Sequence, residues 1–180
     1  MTSHTTGKVL HATHETVHVL RFVGEIRHPM GPALERFLEQ LLSREPGAGL
    51  VIDLSETEII DSTCLGLLAR PAQKLRQQGR GKATPVSRRP DITEVLRSMS
   101  FDRLFNIVDE MLLSGPIAER ALATPGACDE DILLGTMLRA HRTLMELSEH
   151  NRLQFKEVVE ALQRESKAHR QEEPDRARHA

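Results

Sequence analysis

Leu50-Val51-Ile52-Asp53-Leu54-Ser55, followed by Ile59-Ile60-Asp61-Ser62-Thr63-Cys64-Leu65-Gly66, is the stretch on which the fold turns. Leu50 to Leu54 is a short continuous apolar run, as expected of a strand buried on both faces. It leads through a short loop to a helix start. Ser62 stands where a helix cap stands, with its hydroxyl close to backbone amides that have no partner within the helix. Those amides and the helix dipole also tolerate a phosphate. Phosphorylation adds about 1.5 to 2 negative charges, and Asp61 beside it turns the loop into a concentrated negative patch. A partner docking there through apolar or acidic groups would be expelled without any change of fold. The local residues also allow the plainer reading in which Ser62 or Asp61 simply caps the helix, and Thr63 is a second candidate for modification.

Toward the N-terminus, Val9-Leu10-His11-Ala12 and Thr16 to Val23 read as two strands. The second alternates in period two and is closed by Gly24, and the link His14-Glu15 suits a hairpin. Pro29 to Arg44 places Leu34, Phe37, Leu38, Leu41 and Leu42 at helical spacing, and Pro46-Gly47-Ala48-Gly49 ends it. Beyond the central stretch, Leu65 to Leu75 reads as a helix that Gly79 and Gly81 stop and that Pro71 bends or displaces. Lys82 to Ser87 is a weak fourth strand, Asp91 to Leu96 a short helix with Asp91 as cap, and Leu104 to Val108 a last strand or helix edge. Such alternation implies a mostly parallel sheet with helices packed against it.

Ser114-Gly115-Pro116 and Ala123-Thr124-Pro125-Gly126 then bracket a linker, taken as residues 114–128. From Asp129 to Glu165 there is no Pro and Gly135 is the only Gly. Leu134, Leu138, His141, Met145, Ser148, Arg152, Phe155, Val159 and Leu162 recur in alternating steps of four and three, a heptad-like seam with polar interruptions. A continuous helix here would be about 55 Å long at about 1.5 Å per residue; a break near Ser148-Glu149-His150-Asn151 would give a hairpin instead. Asp129, Glu130 and Asp131 suit the start of this helix through its dipole. Residues 166–180 are highly charged and read as a disordered tail, and residues 1–7 as a flexible N-terminus.

Composition narrows the function classes. The chain has 180 residues, 39% hydrophobic, with a formal net charge of −2 and five Phe but no Trp or Tyr. A near-neutral chain with scarce aromatic platforms argues against direct nucleic-acid binding. The first residues lack a basic segment followed by an apolar run, and no stretch approaches the roughly 18 apolar residues of a membrane span, so a cytoplasmic protein is expected, without a membrane role. Cys64 and Cys128 form no disulfide framework, and Cys64 reads as a small packed residue. Among the nine histidines, His14 and His18 would share a strand face that His11 does not, too little for a metal site. Asp53 lacks a partner at a telling spacing, and Gly79-Arg80-Gly81-Lys82 is not a phosphate loop. Neither a cofactor nor a metal is expected.

The strand Leu50 to Leu54 with the motif Asp61-Ser62-Thr63-Cys64-Leu65-Gly66 resembles a STAS domain, specifically of the anti-sigma factor antagonist type, over about Lys8 to Asp109. The family pattern is Asp-Ser-Ser/Thr-Gly-Leu-Gly with the first Ser phosphorylated. Asp61, Ser62 and Gly66 match it, and Cys64 replaces the usual Gly. Arg97 to Phe105 resembles the closing helix and strand, Gly24 the glycine after the second strand, and Glu25 and Arg27 fall where the family often has an acidic residue and a polar loop. The resemblance implies an α/β domain over residues 8–113, with a mixed central sheet and packed helices, followed by the helical extension 129–165. It implies a partner-binding loop of Glu25, Arg27, Asp61, Ser62, Thr63, Cys64 and Gly66. It further implies a non-enzymatic protein that, unphosphorylated, binds an anti-sigma factor or a serine kinase of the histidine-kinase-like ATPase fold. Phosphorylation of Ser62 would end binding, and a PP2C-type phosphatase would restore it. The competing readings are an adaptor or homodimer built on the C-terminal helices, and a small hydrolase using Asp53, Ser62 or Cys64.

Overall fold

A computed structural model describes residues 7–44, 48–79, 83–110, 120–122 and 128–176. Strands β1 (Lys8–His14) and β2 (Val17–Ile26) form the expected hairpin. His14 pairs with Val17, leaving Glu15 and Thr16 in the turn, and Glu15 takes the left-handed conformation (φ 52°) that so tight a reversal favours. Along β2, His18, Leu20, Phe22 and Ile26 are buried at period two, the half-buried pattern legible in the sequence. Gly24 does not close the strand. With φ 75° it sits at a register irregularity, and β2 continues through Glu25 and Ile26 to pair with Ile59 and Ile60.

A 3-10 turn (His28–Met30) leads into helix α1 (Gly31–Arg44). Strand β3 (Gly49–Ile60) is more than twice as long as the apolar run that signals it, because the stretch up to Ile60 goes on pairing in parallel with β2. Helix α2 (Ser62–Gln77) begins three residues before the expected Leu65 and carries Pro71 in its interior without ending there. Strand β4 (Thr84–Val86) pairs in parallel with β3. In helix α3 (Pro90–Ser98), Arg89 is the cap residue and Pro90 supplies the pre-set first turn. Asp91 is therefore not the cap; its carboxylate lies 2.6 Å from Arg89 Nη2. The last stretch of the domain is a 3-10 turn, Phe101–Arg103, after which Val108 bridges to Val86.

The sheet order is β4-β3-β2-β1-β5, where β5 (Arg120–Ala121) pairs antiparallel with β1. The sheet is therefore mixed, as the family resemblance implies, rather than mostly parallel. Part of the expected linker is an edge strand; residues 114–119 and 123–127 lie outside the described residues, as do 1–6 of the N-terminus.

The C-terminal region is a hairpin, not one long helix. Helix α4 (Glu130–Leu147) starts at Asp129, whose carboxylate accepts from the Asp131 and Ile132 amides at 2.9 and 3.3 Å. Ser148 is extended (φ −160°, ψ 160°), and helix α5 (Glu149–Arg176) runs back, bringing His169 within 3.4 Å of Asp131. Ser148 Oγ accepts from the Asn151 amide at 3.1 Å, and Asn151 Nδ2 donates to the Leu144 and Met99 carbonyls at 3.0 and 2.9 Å, closing the reversal. Asn151, not Arg152, therefore continues the seam with Phe155, Val159 and Leu162; Arg152 is exposed. Residues 166–176, read from composition as a disordered tail, belong to α5, and 177–180 lie outside the described residues. Among the described residues, no helix is long and apolar enough to cross a membrane.

The core is shared. Leu20, Phe22, Ile52 and Leu54 of the central strands pack with Leu65 and Leu68 of α2, and Ala140, Leu144 and Phe155 of the hairpin belong to the same cluster. The hairpin is thus packed onto the domain rather than extended away from it.

Candidate functional site

The site lies where β3 hands over to α2. The Asp61 amide donates to the Ile26 carbonyl at 3.0 Å, which fixes the end of β3 beside the end of β2. Asp61 is the residue that caps α2, with Oδ1 accepting from the Cys64 amide at 2.9 Å. Its Oδ2 accepts a short hydrogen bond from the His28 amide, tying the β2–α1 connection to the same cap. Because Asp61 takes the capping role, Ser62 is the first helical residue and its hydroxyl is free for another partner.

That partner comes from the hairpin. Ser62 Oγ lies 2.9 Å from His141 Nε2, and His141 Nδ1 lies 2.8 Å from the Met137 carbonyl. A carbonyl only accepts, so Nδ1 carries the proton, and in the neutral ring Nε2 accepts from the Ser62 hydroxyl. Burial lowers the His141 pKa, against the smaller opposing influences of the Met137 hydrogen bond and the Asp61 charge. The lowered pKa favours the neutral ring, in which Nε2 is the acceptor of this contact.

The rest of the motif faces inward. Thr63, Cys64 and Gly66 are buried, whereas Asp61 and Ser62 are half-buried. Burial pushes the Cys64 thiol well above its ordinary pKa, with the Asp61 charge and hydrogen bond acting in the same direction, so it stays a thiol without nucleophilic character. At Gly66, α2 and α4 touch backbone to backbone: an added Cβ would stand 2.2 Å from the Ala140 carbonyl oxygen. Gly66→Ala must therefore separate the helices. A loss of about 1–3 kcal/mol is expected in urea unfolding, the range for overpacking a close contact.

A second contact fastens α4 beside the site. Glu35 of α1 is buried and accepts from Thr136 Oγ1 at 2.7 Å and from Arg139 Nη2 and Nε at 2.6 and 2.9 Å, with a further short bond from Arg70 of α2. Burial would raise the Glu35 pKa, but the Arg139 and Thr136 hydrogen bonds and the charges of Arg139 and Arg70 together hold it below the ordinary value.

Glu25 and Arg27 form an exposed ion pair at 2.8 Å, at the end of β2 next to Asp61. The sequence reading did not connect Glu35, Thr136, Arg139 and His141 with this site. The only sequence signal for the α4 members Thr136 and Arg139 is that they stand three apart, one helical turn, among the apolar positions Leu134, Leu138 and Ala140. Elsewhere, Asp53 is held by Arg21 Nε at 3.1 Å and by the Ser55 amide at 2.9 Å, a structural arrangement. His11, not His14, meets His18, with ring nitrogens 3.2 Å apart, because the hairpin pairs Thr13 with His18 and so puts His11 on that face. Among the described residues, no group of three or more His, Cys, Asp or Glu is placed to hold a metal ion.

A family model described as STAS domain matches residues 9–111. Among solved structures, the chain is similar to an anti-sigma factor antagonist from Mycobacterium paratuberculosis, with 27% sequence identity and a TM-score of 0.52 over 59% of this chain and 88% of that one. No curated protein matches the chain.

Proposed function

Because this chain belongs to the STAS domain family, we propose that it is an anti-sigma factor antagonist whose binding is switched by phosphorylation of Ser62. The observation that carries the reading is the position of Ser62 at the first turn of α2, beside the Asp61 cap, with its hydroxyl free of any capping duty. Thr63 is buried, which favours Ser62 as the residue modified. Asp61, Ser62, Glu25 and Arg27 gather at one end of the sheet and supply the polar contacts. Thr63, Cys64 and Gly66 shape the helix beneath them.

In this reading the unmodified protein binds an anti-sigma factor or a serine kinase of the histidine-kinase-like ATPase fold, in a bacterial cytoplasm. The kinase transfers the γ-phosphoryl group of ATP. The Ser62 Oγ–P bond forms, the bond from γ-phosphorus to the β-phosphate oxygen breaks, ADP leaves, and the hydroxyl proton passes to a base on the kinase. The added charge next to Asp61 ends binding, and a PP2C-type phosphatase resets the switch by hydrolysis. The protein itself catalyses nothing in this scheme, and no cofactor enters it.

Phosphosite mapping on protein from its native cells is expected to find phosphate on Ser62. In pull-downs with the full chain, Ser62→Ala should retain the anti-sigma partner and Ser62→Asp should lose it at least about tenfold, the effect of a like charge in a desolvated contact. Equal capture by both variants would overturn the switch.

A further inference from the structure

The surface that carries Ser62 is already occupied by another part of the same chain. Helix α4 crosses α2 at the Gly66–Ala140 contact, and Ala140 is fully buried there. His141 closes over the Ser62 hydroxyl, and Thr136 with Arg139 engages Glu35 on the flank. The hairpin thus sits against the phosphorylation motif as a docked protein partner would, by close helix packing and a neutral hydrogen bond.

We propose that the α4–α5 hairpin is an intramolecular occupant of the Ser62 face, latched by the Ser62–His141 hydrogen bond, and that a phosphoryl group on Ser62 drives α4 off α2. This inference rests on the reading of Ser62 as the modified residue. It adds that the chain carries its own competitor for the partner's surface, expelled by the same charge.

The argument lies in what the latch accepts. Ser62 is a donor to His141 Nε2, whose lone pair points at Oγ because Nδ1–H is committed to the Met137 carbonyl. A phosphoryl group at physiological pH presents acceptors only, so acceptor would face acceptor beside the Asp61 carboxylate. Three basic side chains among the described residues near the contact already have partners: Arg139 gives both Nε and Nη2 to Glu35, Arg27 pairs with Glu25 at 2.8 Å, and His28 Nδ1 lies 3.5 Å from Asp61. Nor is there slack for the helices to slide closer, since backbone meets backbone at Gly66. Ser62 is half-buried, so a charge held there against the Asp61 carboxylate and an acceptor nitrogen is only partly solvated, which is costly, and lifting α4 gives it water.

Hydrogen–deuterium exchange on the full-length chain tests this with no kinase and no partner present. In Ser62→Asp, amides of residues 134–147 should exchange at least about tenfold faster than in the unmodified protein, while β2 and β3 keep their protection. Ser62→Ala, which removes the latch but adds no charge, should stay within about threefold. Unchanged or increased protection of α4 in Ser62→Asp overturns the proposal, the increase because it would mean that His141 takes up a proton and clamps the charge. If Ser62→Asp also loses protection in β2 and β3, the chain carrying phosphoserine at position 62 is measured by the same criteria. Loss of β2 and β3 protection there too counts against the proposal. The two readings fail separately. Fast exchange in α4 together with no Ser62 phosphate in native cells would sink the phosphorylation switch but not the coupling; a Ser62 phosphate with a protected α4 does the reverse.

Discussion

Phe155→Ala is expected to cost about 3–5 kcal/mol of stability, the range for truncating a buried phenylalanine. Helix α5 is mostly polar and is held to the rest of the molecule by a narrow line of buried residues, Asn151, Phe155, Val159 and Leu162. Phe155 is the largest of these. It is 6% exposed, its ring lies 5.4 Å from that of His141, and it belongs to the same cluster as Leu65, Leu68 and Leu144. Its loss would open a cavity where α5, α4 and the domain meet. Because the core is continuous, denaturant unfolding should remain a single transition with a lowered midpoint. A loss below about 1 kcal/mol, or a separate early transition for the helices, would show that the hairpin is not part of the cooperative unit.

The features that were legible in the sequence are local ones. The period-two burial of β2 follows from Leu20 and Phe22 alternating with Arg21 and Val23, and the apolar run Leu50 to Leu54 marks the strand beneath the motif. Asp61-Ser62 could be placed at a helix start, but which of them caps it is decided by the Asp61 contacts to the Cys64 and His28 amides, and the second of those is a tertiary contact. The break at Ser148 has neither Gly nor Pro, so the heptad spacing reads straight through it. Only the reversal itself, with Asn151 bonded to Leu144 and Met99, replaces Arg152 by Asn151 in the seam. Charge misled the reading of residues 166–176: Glu, Lys, Gln and Arg suggest a solvated tail, yet they are also good helix formers, and α5 carries on through them. The Ser62–His141 latch and the Glu35–Arg139 contact were out of reach because their partners are distant in sequence. Ser62 and His141 are 79 residues apart, and Glu35 and Arg139 are 104 apart.

Glu35→Ala should be the most damaging polar substitution, at about 3 kcal/mol. That is the low end of what removing one member of a buried ion pair costs. The low end applies because the side chains left behind, Arg70 and Arg139, are 36% and 49% exposed and regain water, whereas Glu35 is 7% exposed. Thr136, which is fully buried, would lose its carboxylate acceptor and has no such recourse. Glu35→Gln keeps an acceptor oxygen and the shape, so it should lose about half as much, the net charge-assisted part of the contact. The sign of the pH dependence follows from the lowered pKa of Glu35 in the folded protein. A carboxylate whose folded pKa lies below its unfolded value contributes its full stabilisation above the unfolded value. The contribution fades as pH falls below that value and is gone once pH is below the folded one. The stability gap between the native protein and Glu35→Gln should therefore be widest near neutral pH and shrink as the solution is acidified through the glutamate range. Urea unfolding of both proteins at about pH 7 and at about pH 3 measures it. A gap of the same size at both would mean that the Glu35 charge does not fasten α4 to α1, and that the hairpin is held by its apolar contacts and its other hydrogen bonds, those of Ser62–His141, Asn151–Met99 and Ser100–Ser148.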